Sequence, residues 1–313
     1  MRYINELREG ETIAITYLCK NKQLLKTKAG KSYCSLSLQD KTGILDAKIW
    51  EMSNAIENFE AMDFIHVEGQ LTCFQGSLQL NVRRVRRAQE GEYDPVDYIP
   101  TSHRDIKEMY GELLTYVKSI KNPYLSKLTA SFFVEDKEFQ KKFMYHSAAK
   151  SVHHSFMGGL VEHTLGVVKM CDYMAGNYTF LNRDLLITGA LFHDIGKVEE
   201  LSDFPENDYT DDGQLLGHIF IGTEMIGARI RTIPNFPHKL SAQLRHCILA
   251  HHGELEYGSP KKPATAEALA LSFADNTDAK MQTIREVLES GDEKTEWLGY
   301  NRFFETNIRR SEK

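Results

Sequence analysis

The apolar residues of this chain change their spacing once, between residues 90 and 105, and that change divides the chain into two kinds of structure. Before it the period is two. Residues 12–18, 33–39, 44–50, 64–71 and 77–82 alternate apolar with small or polar side chains, the pattern of half-buried strands. Gly30-Lys31, Lys41-Thr42-Gly43 and Gln75-Gly76 separate them as turns. Five short strands, with a short helix expected over 51–60, predict a small closed barrel; a β-sandwich is the alternative. Residues 91–105, with Asp94-Pro95 and Ile99-Pro100, read as a linker, and Thr101-Ser102 before Asp105 reads as a helix start. Beyond it the period is helical. Leu113, Leu114, Val117 and Ile120 form one stripe, and Leu160, His163, Thr164, Val167 and Val168 another. At 313 residues the chain is too long for a single helical core, so we expect a β domain over 1–90 and an all-α domain over 106–313.

Composition narrows the class. Hydrophobic content of 42% and charged content of 26% are globular values. Five scattered cysteines without CxxC spacing predict reduced thiols rather than a disulfide framework. No apolar run reaches the length of a membrane span, and the first residues lack the apolar core of a signal peptide, so a cytoplasmic protein without membrane partners is expected. The net charge of −6 is unevenly spread: residues 1–90 carry 13 Lys+Arg against 11 Asp+Glu, and the remainder 25 against 33. Eleven of the twelve histidines lie beyond residue 100. A mildly basic part and an acidic, His-rich part suggest two jobs on one chain.

The His-rich part carries a spaced ligand set. His193-Asp194 sits in Leu-Phe-His-Asp-Ile-Gly-Lys, where Gly196 allows a close turn and Lys197 places a cation one helical turn on. His163 precedes this pair; His218, His251-His252 and Asp275 come after it at intervals of roughly 24 to 33 residues. Singly, each has an ordinary reading: a core histidine, a helix-end aspartate, or Lys197 pairing with Glu199 or Glu200. Together they read as several helices each donating a ligand to one centre. Nitrogen and carboxylate donors without thiolate suit Mn²⁺ or Co²⁺, with Fe²⁺, Mg²⁺ and Zn²⁺ also admitted. His246, five residues before His251, competes as a ligand; His153-His154, beside a glycine-rich bend, are candidates to line the pocket. His66, His103, His146 and His238 are read as ordinary.

The basic part carries two clusters, Lys20, Lys22, Lys26, Lys28 and Lys31 around the first strand pair, and Arg83-Arg84-Val85-Arg86-Arg87 on the last. Either alone would be a solvated face. With Tyr17, Tyr33, Trp50 and Phe74 interleaved, they fit a groove in which cations track phosphates and rings stack bases. A barrel this small needs some of those rings in its core; Tyr33 and Phe74, next to turns, are the ones expected outside. The candidate nucleic-acid contacts are therefore Lys28, Lys31, Tyr33, Phe74, Arg83 and Arg84.

His163, His193-Asp194 and Asp275 resemble the H…HD…D signature of the HD superfamily of metal-dependent phosphohydrolases, over about residues 145–285. The resemblance implies an all-helical bundle in which Asp194 bridges two ions, with His218 and His251 (in preference to His252) on the second. It also tips Lys197 toward the site, as a catalytic cation beside Asp194. Gly30-Lys31-Ser32-Tyr33…Leu36…Leu38-Gln39-Asp40-Lys41-Thr42-Gly43-Ile44…Trp50 is similar to the OB-fold of the anticodon-binding type. An OB-fold barrel followed by an HD domain resembles the YhaM family of bacterial 3′–5′ exoribonucleases. That implies an enzyme, dependent on Mn²⁺ or a similar ion, that trims single-stranded RNA, with single-stranded DNA as a further candidate substrate, to nucleoside monophosphates. Two other readings stay open: an HD phosphohydrolase of free nucleotides or cyclic dinucleotides, and an RNA-binding module with a structural metal. Residues 256–260 lack the Gly-Tyr-Pro triplet of cyclic-di-GMP phosphodiesterases. A homo-oligomer is compatible with the sequence but not derivable from it.

Overall fold

A computed structural model describes residues 2–27, 30–51, 53–74, 77–150, 154–290 and 295–312. The chain divides into two compact units, Met1–Thr101 with Asp203–Glu206, and Ser102–Ser202 with Asn207–Lys313. In the first, β1 (Thr12–Lys26), β2 (Ser32–Asp40), β3 (Gly43–Ile49), β4 (Phe64–Phe74) and β5 (Ser77–Arg87) close a barrel in the order β1-β2-β3-β5-β4. All pairs are antiparallel except β3 with β5. The alternation seen in the sequence is the alternation of burial: Leu36 and Leu38 of β2, Ile65 and Val67 of β4, and Leu80 of β5 point into one core with Tyr17. Strands run longer than the alternating stretches; β1 bends through an irregularity between Cys19 and Asn21, which lets one strand serve two neighbours. The expected turn at Gln75-Gly76 lies outside the described residues.

The helix expected over 51–60 does not form. Its described residues are irregular: the Val85 N–H donates to the Ala55 carbonyl and the Glu57 N–H to the Val85 carbonyl. Phe59 then turns inward, 2% exposed, into the barrel core. Helical periodicity was too short there to compete with a cross-bridge to β5 and one buried ring. Residues 95–98 form a 3-10 turn, and Tyr98 is buried against Phe64, with ring centroids 5.1 Å apart.

The second unit is helical. α1 (Ile106–Ser119), α2 (Pro123–Phe133), α3 (Lys137–Tyr145), α4 (Gly159–Asn177), α5 (Arg183–Phe192), α6 (Lys197–Glu200), α7 (Asp211–Arg231), α8 (His238–Leu249) and α9 (Ala266–Ser290) precede a hairpin of β6 (Trp297–Asn301) and β7 (Thr306–Arg309). Side chains cap the starts: Asp105 accepts from the Glu108 N–H, Asp136 from Phe139 and Asn182 from Leu185. Beyond its charged first two residues α5 is nearly all apolar, and every residue from Leu185 to Phe192 is buried. It is the central rod of the bundle, and the residues just beyond its last turn are held deep in the protein. Among the described residues, no helix is long and apolar enough to cross a membrane.

Phe59 offers a test of the barrel. Replacing it with Ala is expected to cost about 3–5 kcal/mol, the range for a buried aromatic truncated to Ala. Denaturant unfolding followed by the barrel tryptophan, Trp50, should show this as a lowered midpoint with little change in slope.

Candidate metal centre and nucleic-acid face

The chain leaves α5 at Phe192 and immediately turns, so His193 and Asp194 project from the end of the buried rod. Both are almost wholly buried. Gly196 has ordinary helical dihedrals, so the close turn expected of it is not the reason for glycine. A Cβ there would sit 2.0 Å from the His218 carbonyl oxygen; glycine lets the start of α6 touch α7. Gly217, at φ +73°, kinks α7 just before His218 and aims that imidazole inward.

Five segments converge. From α4, His163 places Nε2 3.1 Å from Asp275 Oδ1 of α9, 3.2 Å from His193 Nε2 and 3.4 Å from Asp194 Oδ2. On the other side of the same carboxylate, Asp194 Oδ1 lies 3.4 Å from His218 Nε2 and 3.7 Å from His251 Nε2. His163, His193 and Asp275 form one group with ligand atoms mutually within 4.8 Å; His218, His251 and His252 form a second. Asp194 faces one with each oxygen.

Each imidazole is oriented through its other nitrogen. Nδ1 of His193 donates to the Ala190 carbonyl at 2.8 Å, Nδ1 of His251 to Ile248 at 2.7 Å, and Nδ1 of His252 to Tyr257 at 2.9 Å. Nδ1 of His218 donates to Glu200 Oε1 at 2.9 Å, and Nδ1 of His163 to Asp278 Oδ2 at 2.7 Å. With Nδ1 carrying the hydrogen, Nε2 of a neutral ring presents only a lone pair. Asp194 Oδ1, His218 Nε2 and His251 Nε2 are buried without a hydrogen-bond partner. Acceptors facing acceptors in a dry interior repel, and a divalent cation is what such a set fits.

The electrostatics agree. Burial works against an ionised Asp194, yet Lys197 and His193 hold its pKa well below the carboxylate range. Burial likewise opposes charge on Lys197, but Asp194, 2.7 Å away, keeps it protonated. His251 is pushed well below its ordinary value by burial and by neighbouring His252. His163 moves the other way. Burial disfavours its charge, but the carboxylates of Asp194, Asp275 and Asp278 raise its pKa well above the ordinary value.

Of the residues singled out in the sequence, His163, His193, Asp194, His218, His251 and Asp275 come together, and His252 joins them beside His251. His246 does not. Its Nε2 accepts the Ala264 N–H at 2.8 Å, committing the ring to the segment that precedes α9. Lys197 pairs with Asp194 and not with Glu199, which binds Lys142, or with Glu200, which holds His218. Asp278 and Glu200, which orient His163 and His218, were missed; the signal for Asp278 is its place one turn after Asp275 on α9. His154 lies near the centre, its Nε2 3.1 Å from Asp278 Oδ2, and His153 lies outside the described residues.

On the barrel, Tyr33 stacks on Trp50 at 4.9 Å, and Trp50 Nε1 donates to Asn81 Oδ1. Phe74 is exposed, and Tyr17 is core. Trp50, 43% exposed, stacks outside the barrel core with Tyr33, a position that sequence reasoning did not give it. Arg83 donates to Gln70, Arg84 is 3.8 Å from Glu68, and Lys31 pairs with Glu51 on the surface. Lys22 instead packs over the Phe59 ring at 4.6 Å, a structural use. Lys28 lies outside the described residues.

The HD domain family model matches residues 160–280, and the OB-fold nucleic acid binding domain model matches residues 19–88. The chain is thus an OB-fold joined to an HD domain. Curated relatives named 3′-5′ exoribonuclease YhaM align along most of its length. That of Geobacillus sp. (strain WCH70) is 34% identical over 282 residues, 90% of this chain and 86% of that protein. That of Listeria monocytogenes serotype 4b (strain CLIP80459) is 33% identical over 282 residues, 90% of this chain and 89% of its own. Among solved structures, the second OB-fold domain of replication protein A from Methanococcus maripaludis aligns with 29% of this chain and 98% of its own, at 21% identity and a TM-score of 0.23. The chain belongs to the YhaM family of 3′-5′ exoribonucleases.

The raised pKa of His163 sets the pH dependence of cation binding. In the cation-free protein His163 keeps its proton at neutral pH, and a ligand must give it up. Affinity for Mn²⁺ should therefore rise with pH, with about one proton released per protein near pH 7. Calorimetric titrations in buffers of different ionisation enthalpy measure that proton directly.

Proposed function

We propose that this protein is a divalent-metal-dependent 3′–5′ exoribonuclease that hydrolyses single-stranded RNA, with single-stranded DNA as a further candidate substrate, to nucleoside monophosphates. The observation that carries the reading is the buried, unpartnered set of Asp194 Oδ1, His218 Nε2 and His251 Nε2, in a chain whose relatives bear that activity in their names. His163, His193 and Asp275 would hold one ion, His218, His251 and His252 a second, with Asp194 shared between them. Mixed imidazole and carboxylate donors without thiolate suit a hard or borderline divalent ion, and our reading takes Mn²⁺ or Co²⁺. Such ions, when bound, lower the pKa of water toward neutrality and neutralise phosphate oxygens.

The chain's own residues do the rest. Ala190, Ile248, Glu200 and Asp278 fix the imidazole rings through Nδ1, so the donors are arranged before substrate arrives. Lys197, held on Asp194, keeps a permanent cation at the centre where negative charge develops on the phosphate. The barrel would supply capture: Tyr33 and Trp50 as a stacking platform, and Arg83, Arg84 and Lys31 as backbone contacts. Directionality from the 3′ end rests on the relatives.

A 5′-labelled single strand incubated with Mn²⁺ should shorten progressively, while a 3′-labelled one releases labelled mononucleotide at once. Intact RNA after long incubation would defeat the proposal. Asp194→Asn should lower hydrolysis by at least about 10³-fold while single-strand binding persists. Tyr33→Ala with Trp50→Ala should raise KM for long strands about tenfold or more, at about 1–3 kcal/mol per lost stack, and leave dinucleotide cleavage nearly unchanged. Gel-shift and steady-state assays on both substrate lengths separate the two effects.

A further inference from the structure

Asp278 holds two imidazoles on a single oxygen. Its Oδ2 lies 2.7 Å from Nδ1 of His163 and 3.1 Å from Nε2 of His154, and the two rings stand 5.3 Å apart. A carboxylate oxygen accepts, so both rings present an N–H to it. His163 belongs to the groups that surround Asp194. His154 comes from the segment that leads into α4, nine residues earlier in the chain.

Several features of the chain are given over to placing that ring. His154 is 3% exposed and takes a left-handed backbone, φ +59°, a conformation that costs a residue with a side chain. Its carbonyl accepts the Ala148 N–H at 3.0 Å and presses on the first residue of α4. A Cβ on Gly159 would stand 2.0 Å from that oxygen. Two turns further along α4, a Cβ on Gly166 would stand 2.1 Å from Asp278 Oδ1. Glycine inside a helix weakens it, so Gly166 gives up helix stability for room beside Asp278. A strained histidine and two cleared positions thus bring one ring and one carboxylate to the Nδ1 side of His163.

Two uses of this cluster compete. Ligand atoms of His154, His163 and Asp278 lie within 4.8 Å of one another, close enough for a cation of their own. Such an ion would take Nδ1 of His163 while the Asp194 centre takes Nε2, leaving that ring without a proton. The contact of Nδ1 with Asp278 is instead a normal hydrogen bond to a charged acceptor, and it satisfies the nitrogen. A lone aspartate side chain can turn about its own bonds; a second donor on the same oxygen removes that freedom. We propose that His154 is a positioning residue. Through Asp278 it fixes the ring plane of His163, and so sets how firmly the His163–His193–Asp275 group holds its cation. This role rests on the reading of His163 as a cation ligand.

Two substitutions in the full chain separate the ring's donor from its bulk. A Gln amide nitrogen reaches the place of Nε2, whereas an Asn amide nitrogen reaches only that of Nδ1. His154→Gln therefore keeps a donor for Asp278, and His154→Asn removes it. Calorimetric titration with Mn²⁺, after the protein is stripped with a chelator, reads affinity and the number of ions bound. His154→Asn should bind one of its two ions about tenfold or more weakly, the loss seen when the partner of a metal ligand is removed. The other ion, the ion count and the unfolding midpoint of the stripped protein should stay as in wild type, and His154→Gln should recover most of the affinity. Should His154→Asn unfold, Gly166→Ala decides: it favours the helix yet crowds Asp278, and should weaken the same ion. Unchanged affinity in folded His154→Asn, equal weakening in both His154 variants, or one ion fewer in either overturns the clamp alone. A wild-type protein that binds no Mn²⁺ defeats the functional reading, and the clamp with it.

Discussion

A single buried carboxylate organises the helical unit. Asp194 is almost wholly excluded from water, carries a negative charge there, and is met by Lys197 at 2.7 Å on one oxygen and by bare imidazole nitrogens around both. An ionised group in that position is costly unless opposite charge surrounds it. Lys197 supplies one such charge and His163 takes another as a proton. The remaining acceptors need a cation. Much of the unit can be understood as the means of bringing that charge to Asp194.

Packing serves the same end. α5 is buried from Leu185 to Phe192, and its final turn thereby delivers His193 and Asp194 to the interior. Gly196 allows α6 to touch α7, and Gly217 breaks α7 so that His218 turns toward Asp194. Fixing each imidazole by a backbone carbonyl or a carboxylate removes rotamer freedom before any ion is bound. This is the preorganisation on which tight binding and defined chemistry depend. α9 serves two sides at once, with Asp275 and Asp278 inward and the Leu269–Phe273 face outward.

Some of this was readable in the residues. Histidine and aspartate are rarely buried without a reason, and their recurrence in separate apolar helices made convergence the economical reading. Strand alternation in the barrel was equally plain, because a two-residue period has few other causes. The misses share a physical origin. Asp278 and Glu200 act through a ring nitrogen of another segment; the spacing of Asp278 from Asp275 is a faint local signal, and nothing in its own neighbourhood marks Glu200. His246 looked like a ligand because it lies near His251, yet its position on α8 commits it to the Ala264 amide. The short helix over 51–60 lost to a cross-bridge with β5, a long-range contact that local propensity does not contain.

The sequence alone determined the two periodicities, the identity of the donors and the uneven charge, because these depend on residue type and local spacing. Only the tertiary structure decided that Asp194 turns one oxygen to each histidine group, that His252 stands with His251, and that Trp50 lies outside the barrel under Tyr33. Those outcomes turn on ångström-scale distances between segments far apart in the chain. Such distances are fixed by helix packing and strand register, which no local pattern of residues encodes.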